Sequence, residues 1–278
     1  MRLTTLRTPG GTRAARVEDG TAVELDAPDV GTLLADPDWR ARAGQDGPAH
    51  VLADIDRAPL VPRPGKIFCI GLNYAHHIKE MGREIPEYPA VFAKFPDALI
   101  GPTDPIVLDP ASTAVDWEAE LAVVIGTRVR RARGAQAENA IAGFSVLNDV
   151  TMRDWQYRSV QWLQGKTFEA TTPFGPDLVT PDELPGTIRP SLRMHCTVDG
   201  EIVQDTTTSD LVFDPVALVE YLSTIITLRP GDVIATGTPG GVGHARTPRR
   251  YLTDGAHLVT EIEGLGRLEN TARSPEPV

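Results

Sequence analysis

Residues 115–125 read VDWEAELAVVI, and the fold turns on how that stretch is read. Its apolar residues alternate as in a strand, where residues two apart share a face. Val115, Trp117, Ala119, Leu121 and Val123 then line one face, and Asp116, Glu118, Glu120, Ala122 and Val124 the other. Carboxylates crowded on one face of an apolar strand are unfavourable unless something compensates them. Two readings stay open. That end of the strand lies in water, or a cation sits against it.

The neighbouring segments are also mostly strand-like. KIFCIGLN reads as a buried strand and YAHHIKEMG as a short helix ending at Gly82. PAVFAKF and PIVLD read as strands, and AQAENAIAGFSVLND as a helix start running into a strand. TMRDWQYRSVQ reads as a helix, and HCTV and EIVQ flank a DG turn as a hairpin. DPVALVEYLSTI is a helix, followed by LRPGDVIATGTP. Many strands and few helices, without regular alternation, predict a mostly β fold with packed helices, of the α+β class.

Nearer the N-terminus, MRLTTLRT, TRAARVED and TAVELD are short strands separated by turn-rich PGG and DG. DVGTLLADPDWRARAG reads as a helix capped by Asp29. The prolines of APLVPRPGK mark a boundary. Residues 1–62 are therefore expected to form a small N-terminal α+β domain, and residues 63–278 the main one.

The net charge of −11 argues against general binding to nucleic acid or to an anionic membrane, which needs clustered Lys and Arg. The basic run RVRRARG at 128–134 reads as a solvated loop. Cys69 and Cys196 form neither a disulfide framework nor a zinc pattern, which fits a reducing compartment. No signal-peptide core and no run of ~18 apolar residues is present, so a cytoplasmic location is expected.

Several residues could carry chemistry. Asp149 ends one predicted strand and begins a predicted helix, where it could serve as an N-cap. With Glu118 and Glu120 it would instead make an all-oxygen set, suited to Mg²⁺, Mn²⁺ or Ca²⁺ rather than zinc. Arg153 and Gln156 would share a helix face with Asp149; that face is either solvated, with Arg153 free to pair with Asp149, or part of a site. Lys166, in QGKTFE, falls in a loop where a lysine is ordinarily solvated. His77 and Glu80 stand at i and i+3, a spacing that lets a carboxylate orient an imidazole as a general base. His76 points about 100° away from them. ATGTPGGVG at 235–243 lacks the Lys-Ser/Thr of a phosphate loop. It reads as a tight turn whose N–H groups, with the Thr236 and Thr238 hydroxyls, can hold a carboxylate.

In their order along the chain, GLNYAHHIKEMG, PAVFAKFPDALIGP, DWEAELAVVIG, LNDVTMRDWQ, GKTFE, LVFDPVALVEYLS and LRPGDVIATGTPGGVG resemble the fumarylacetoacetate hydrolase family over about residues 65–270. The resemblance implies a mixed β-sandwich roll and a bound Mg²⁺ or Mn²⁺. Glu118, Glu120 and Asp149 look like its ligands, with no ligand role for Asp116. Lys166 looks like the family's active-site lysine. His77 and Glu80 look like the water-activating dyad of the acylpyruvase or fumarylpyruvate hydrolase branch. Arg153 and Gln156 match neighbouring site positions, and Thr238 a contact to the substrate's carboxylate. Two positions depart from some acylpyruvase-like members: Leu72 stands where they have Arg, and Gly240 where they have Lys.

The family's chemistry makes an enolate on a chelated 2-oxo acid. The first expectation is thus a metal-dependent hydrolase that cleaves a C–C bond in an acylpyruvate-like 2,4-dioxo acid. Fumarylpyruvate or acetylpyruvate would give pyruvate and a carboxylic acid, in aromatic degradation. The alternative is decarboxylation of oxaloacetate, or isomerisation or decarboxylation of a 2-oxo or 2-hydroxy-diene dicarboxylate. A non-catalytic 2-oxo acid binding protein is the rival of another class. The expected partners are a small 2-oxo acid and a second copy in a homodimer, with no nucleic acid and no membrane.

Overall fold

The computed structural model describes residues 1–80, 82 and 84–275, without the side chain of Glu80. At its centre lie the strands Ala119–Ile125 and Ile141–Asn148, antiparallel and in register from Ala119 opposite Asn148. Every residue of both is buried. Leu121, Val123 and Ile125 face one apolar core and Ala122 and Val124 another, so the predicted alternation holds with both faces covered.

These strands belong to an 11-stranded sheet. On one side it continues through Val233–Ala235, Ile67–Gly71 and Ala90–Lys94. On the other it continues through Thr172–Val179 and Arg2–Thr8 to the remaining N-terminal strands. The N-terminal strand pairs Arg2 with Val179 and Leu3 with Leu178. A 5-stranded sheet containing the hairpin Arg193–Val198 and Glu201–Thr207 packs over one face of the large sheet. The helix Pro215–Ile225 contributes Val216, Leu218, Val219 and Leu222 to that same core. The N-terminal helices Val30–Leu34 and Trp39–Ala43 cover the opposite face. The architecture is the mostly β, α+β arrangement expected.

Local chemistry explains the element ends. Asp199 and Gly200, both with positive φ, close the DG hairpin. The Asp214 side chain accepts from Ala217 N to cap its helix, and Pro215 occupies the first turn. Asp29 accepts from Thr32 N at 2.8 Å, as its cap position predicts. The helix it starts ends at Leu34, however, and a second begins at Trp39. Pro37 interrupts what the pattern alone reads as one helix. The helix expected over TMRDWQYRSVQ is a single turn, Arg153–Gln156. The basic run at 128–134 is a loop with exposed arginines, as expected, and one of them also serves the long helix. Arg130 Nη1 donates to the carbonyls of Ser223 and Thr224, satisfying the C-terminus of the long helix.

Candidate active site

The stretch from Val115 to Ile125 is broken into two strands, Val115–Asp116 and Ala119–Ile125. Trp117 and Glu118 form the break, and there the chain meets Asp149. The Asp149 N–H donates to the Glu118 carbonyl at 2.8 Å. Asn148 Oδ1 accepts from Glu118 N at 2.9 Å. Asp149 therefore sits in the link between Ile141–Asn148 and the short strand Thr151–Met152, rather than capping a helix. This junction brings ligand oxygens of Glu118, Glu120 and Asp149 within 4.8 Å of one another.

The cluster lies in the interior and meets only the cavity described below. Asp116, Glu118, Glu120 and Asp149 are all buried, which removes the solvated-strand reading. Protein cations compensate most of the charge. Lys166 Nζ donates to Glu118 Oε2 at 2.7 Å and to Asp149 Oδ2 at 2.9 Å. Lys94 Nζ donates to Asp149 Oδ1 at 2.6 Å. Arg153 pairs with Glu118 Oε1 and with Asp116 Oδ2, each at 2.7 Å, and not with Asp149. Its Nη1 also donates to Gln156 Oε1 at 2.9 Å.

Lys166 is not a solvated loop residue. It ends a one-turn helix, Leu163–Lys166, and its side chain is 2% exposed. Gly165 makes that placement possible. A Cβ there would lie 2.4 Å from Gln156 N, so only glycine lets the two one-turn helices approach this closely.

The Gly-rich turn does hold carboxylates, and they belong to the protein. Gly237 N donates to Glu120 Oε2 at 2.8 Å, and Gly243 N and His244 N donate to Asp116 at 2.7 and 2.9 Å. Thr238 Oγ1 accepts from Gln204 Nε2 at 2.8 Å.

A cavity of about 270 Å³ opens onto this cluster. Glu118, Arg153, Gln156, Lys166, Thr238 and His77 all line it. The structure thus brings these predicted residues to one place, with Glu120 and Asp149 in the carboxylate group beneath. His77 lies on the helix Ala75–Glu80. The Glu80 side chain, its expected dyad partner, lies outside the described residues. Leu72 also lines the cavity and has φ 55°, an uncommon conformation for a branched residue. Three participants escaped the sequence reading: Lys94, the Asp116 link to Arg153, and His244. A lysine at the end of the apolar strand PAVFAKF carries the same kind of signal as carboxylates inside VDWEAELAVVI, and could have been found by it.

The electrostatics fit a cation. The four buried carboxylates face three buried cations, Lys94, Arg153 and Lys166. One negative charge is left over, and it falls on Glu120. Burial, reinforced by Asp149 and Glu118, pushes the Glu120 carboxyl well above its usual range. For Asp149 burial acts upward too, but Lys166 and Lys94 outweigh it and hold the group low. Burial would lower the Lys166 pKa, yet Asp149 and Glu118 raise it, so the ammonium stays charged. An all-oxygen donor set with one surplus charge suits a hard dication.

Glu120 gives a signed prediction. Its carboxyl binds its proton more tightly folded than unfolded, so without metal it stabilises the fold below its unfolded pKa of about 4.3 and loses that contribution as pH rises. Asp149 acts oppositely, its contribution being lost as pH falls through the acid range. After chelation, the melting temperature should therefore decline from mildly acidic to neutral pH. Glu120→Gln should remove the decline and weaken metal binding, read by calorimetry. A chelated wild-type protein whose stability is flat over that range contradicts the charge assignment.

Residues 66–273 match the family described as Fumarylacetoacetate (FAA) hydrolase C-terminal. The chain belongs to the fumarylacetoacetate hydrolase family. It is similar to the rat protein named oxaloacetate tautomerase Fahd2a, mitochondrial, with 44% identity over 211 residues, covering 76% of this chain and 67% of the rat protein. Among solved structures it is similar to the fumarylacetoacetate hydrolase of the psychrophile Exiguobacterium antarcticum, with TM-score 0.88, 32% identity, and coverage of 99% of this chain and 100% of the other. It is also similar to the 5-carboxymethyl-2-hydroxymuconate delta-isomerase of Mycobacterium smegmatis, with TM-score 0.80, 32% identity, and coverage of 99% and 100%. Among the described residues, no helix is long and apolar enough to cross a membrane.

Proposed function

We propose that this protein is a metal-dependent isomerase of 2-oxo dicarboxylic acids, interconverting the keto and enol forms of oxaloacetate or a close analogue. The observation that carries the reading is the buried Lys166 ammonium, held between Glu118 and Asp149 at the cavity wall. The relatives named as an oxaloacetate tautomerase and as a delta-isomerase support proton transfer ahead of the C–C hydrolysis expected first. The reaction moves one proton from C3 to the oxygen on C2, with no carbon–carbon bond broken and no water consumed.

Glu118, Glu120 and Asp149 would hold Mg²⁺ or Mn²⁺, which would supply Lewis-acid stabilisation of charge on the 2-oxo oxygen. The residues of the chain do the rest. Lys166 donates a hydrogen bond to the same developing charge, and burial strengthens it. Arg153 and Gln156, locked to each other at 2.9 Å, orient the 2-oxo acid. Thr238 contacts its carboxylate, and Gln204 fixes the hydroxyl. His77, on the cavity wall, carries the proton.

His77 also favours a second reading, since the same imidazole can activate water for acylpyruvate cleavage. Two assays with Mg²⁺ separate the readings. Ultraviolet absorbance follows the oxaloacetate enol, and pyruvate release follows acetylpyruvate cleavage. The expected result is acceleration of enol–keto exchange well beyond any cleavage. Cleavage without accelerated exchange overturns the isomerase reading in favour of the hydrolase. Activity in neither assay leaves only 2-oxo acid binding.

A further inference from the structure

His244 shares the cavity with Arg153 and Lys166 and has no role so far. It lies on the single 3-10 turn Gly243–Ala245 that follows the Gly-rich segment. Its surroundings hold it firmly. The His244 N–H donates to Asp116 Oδ2 at 2.9 Å, and the ring lies against Tyr157 with centroids 5.0 Å apart. His244 Nδ1 is 2.9 Å from the Tyr251 hydroxyl. Gly243 lets the turn sit this deep, because a Cβ there would come within 1.9 Å of the Arg250 carbonyl.

The Tyr251 contact ties the tautomer to the direction of one hydrogen bond. Burial, with Arg249 and Arg153 adding to it, lowers the His244 pKa and keeps the ring neutral. A phenol O–H is a good donor and a neutral imidazole nitrogen a good acceptor. With the Tyr251 O–H donating to Nδ1, the ring proton sits on Nε2. Among the described residues, Nε2 has no hydrogen-bond partner. The imidazole thus offers one donor in a cavity whose lining also includes the apolar Phe92, Trp162, Val242 and Ala245. Arg249 and Arg153 act on the ring with positive charge, which Asp116 offsets only in part, and such a place favours an anion. Arg153 itself, held by Asp116, Glu118 and Gln156, serves the 2-oxo acid end in the proposed chemistry.

We propose that His244 is a specificity-determining residue whose Nε2–H binds the far carboxylate of a 2-oxo dicarboxylic acid. Dicarboxylates are thereby preferred over 2-oxo monocarboxylates. The inference rests on the proposed 2-oxo acid chemistry of this cavity and names the substrate class that chemistry serves. A charged acceptor brought out of water needs such a donor, and losing a hydrogen bond to a charged group costs roughly 10- to 100-fold in affinity.

The test compares oxaloacetate with 2-oxobutyrate, which replaces the far carboxylate by a methyl group. Enolisation is followed by deuterium exchange at C3 in wild type, His244→Phe, His244→Gln and Tyr251→Phe. In His244→Phe the ratio of the two kcat/KM values should fall roughly 10- to 100-fold, mainly through KM for oxaloacetate. His244→Gln, which presents an N–H near the Nε2 position, should restore part of the ratio. Tyr251→Phe should lower it less than His244→Phe. An unchanged ratio, or equal losses on both substrates, overturns the proposal and leaves His244 a wall residue. Calorimetric Kd values for the same two compounds give a readout that needs no turnover. Binding of oxaloacetate without enolisation sinks the isomerase reading, while the Kd ratio still decides His244. A wild-type protein that binds both compounds alike, or neither, also overturns it.

Discussion

Replacing Lys166 by Met should lower kcat about 10²–10³-fold, the usual cost of removing one donor to a developing oxyanion. KM should change much less, because the charge Lys166 meets is far larger in the transition state than in the bound substrate. A solvated lysine would leave both constants near wild type. The structure already sets that view aside, since the ammonium is buried between two carboxylates. A second effect follows from the same contacts. Lys166 and Lys94 together hold Asp149 low, and Lys94 alone remains after the substitution. The Met variant should therefore also be less stable at neutral pH, and added Mg²⁺ should recover part of that loss by restoring positive charge at the cluster. Steady-state kinetics with thermal melts, with and without Mg²⁺, read both effects. A Met variant with near-wild-type kcat would remove Lys166 from the chemistry.

What the sequence discloses, and what it hides, divides along physical lines. Alternation over 119–125 identifies a strand and assigns its faces correctly, because pleat periodicity is local and Leu121 and Ala122 cannot exchange cores. The DG hairpin and the Asp214 cap are equally local. Helix lengths are less legible. Propensity continues past Gln156 and past Leu34, whereas tertiary packing and Pro37 end those helices. The carboxylate trio is visible as an anomaly, since charge inside an apolar strand demands an explanation. Its partners are not. Lys94 lies 55 residues from Asp149 in the chain, and nothing near it in sequence announces that contact. The Gly-rich turn reads as able to hold a carboxylate, but a single sequence does not say which. That those carboxylates are Glu120 and Asp116 is a property of the folded chain.

Asp116 is where that property matters most for stability. Its buried carboxylate accepts from Trp117 N, Gly243 N, His244 N and Arg153 Nε. Asp116→Ala therefore removes one of two carboxylates from a buried guanidinium and leaves the Trp117, Gly243 and His244 N–H groups without that acceptor. Breaking a buried pair typically costs 3–5 kcal/mol. Arg153 keeps Glu118 as a partner, so a loss near the lower end, about 3 kcal/mol, is expected in urea unfolding. Asp116→Asn should cost less, because one amide oxygen still accepts, although its NH₂ faces other donors. Neither change touches the Glu118, Glu120 and Asp149 oxygens. Mg²⁺ affinity should consequently fall much less than in Glu118→Gln or Glu120→Gln. That separation is the informative result. If Asp116→Ala and Glu120→Gln weaken Mg²⁺ equally while the urea midpoint of Asp116→Ala stays at the wild-type value, Asp116 is acting as a ligand. Its place between Arg153 and the 243–244 turn would then need another explanation.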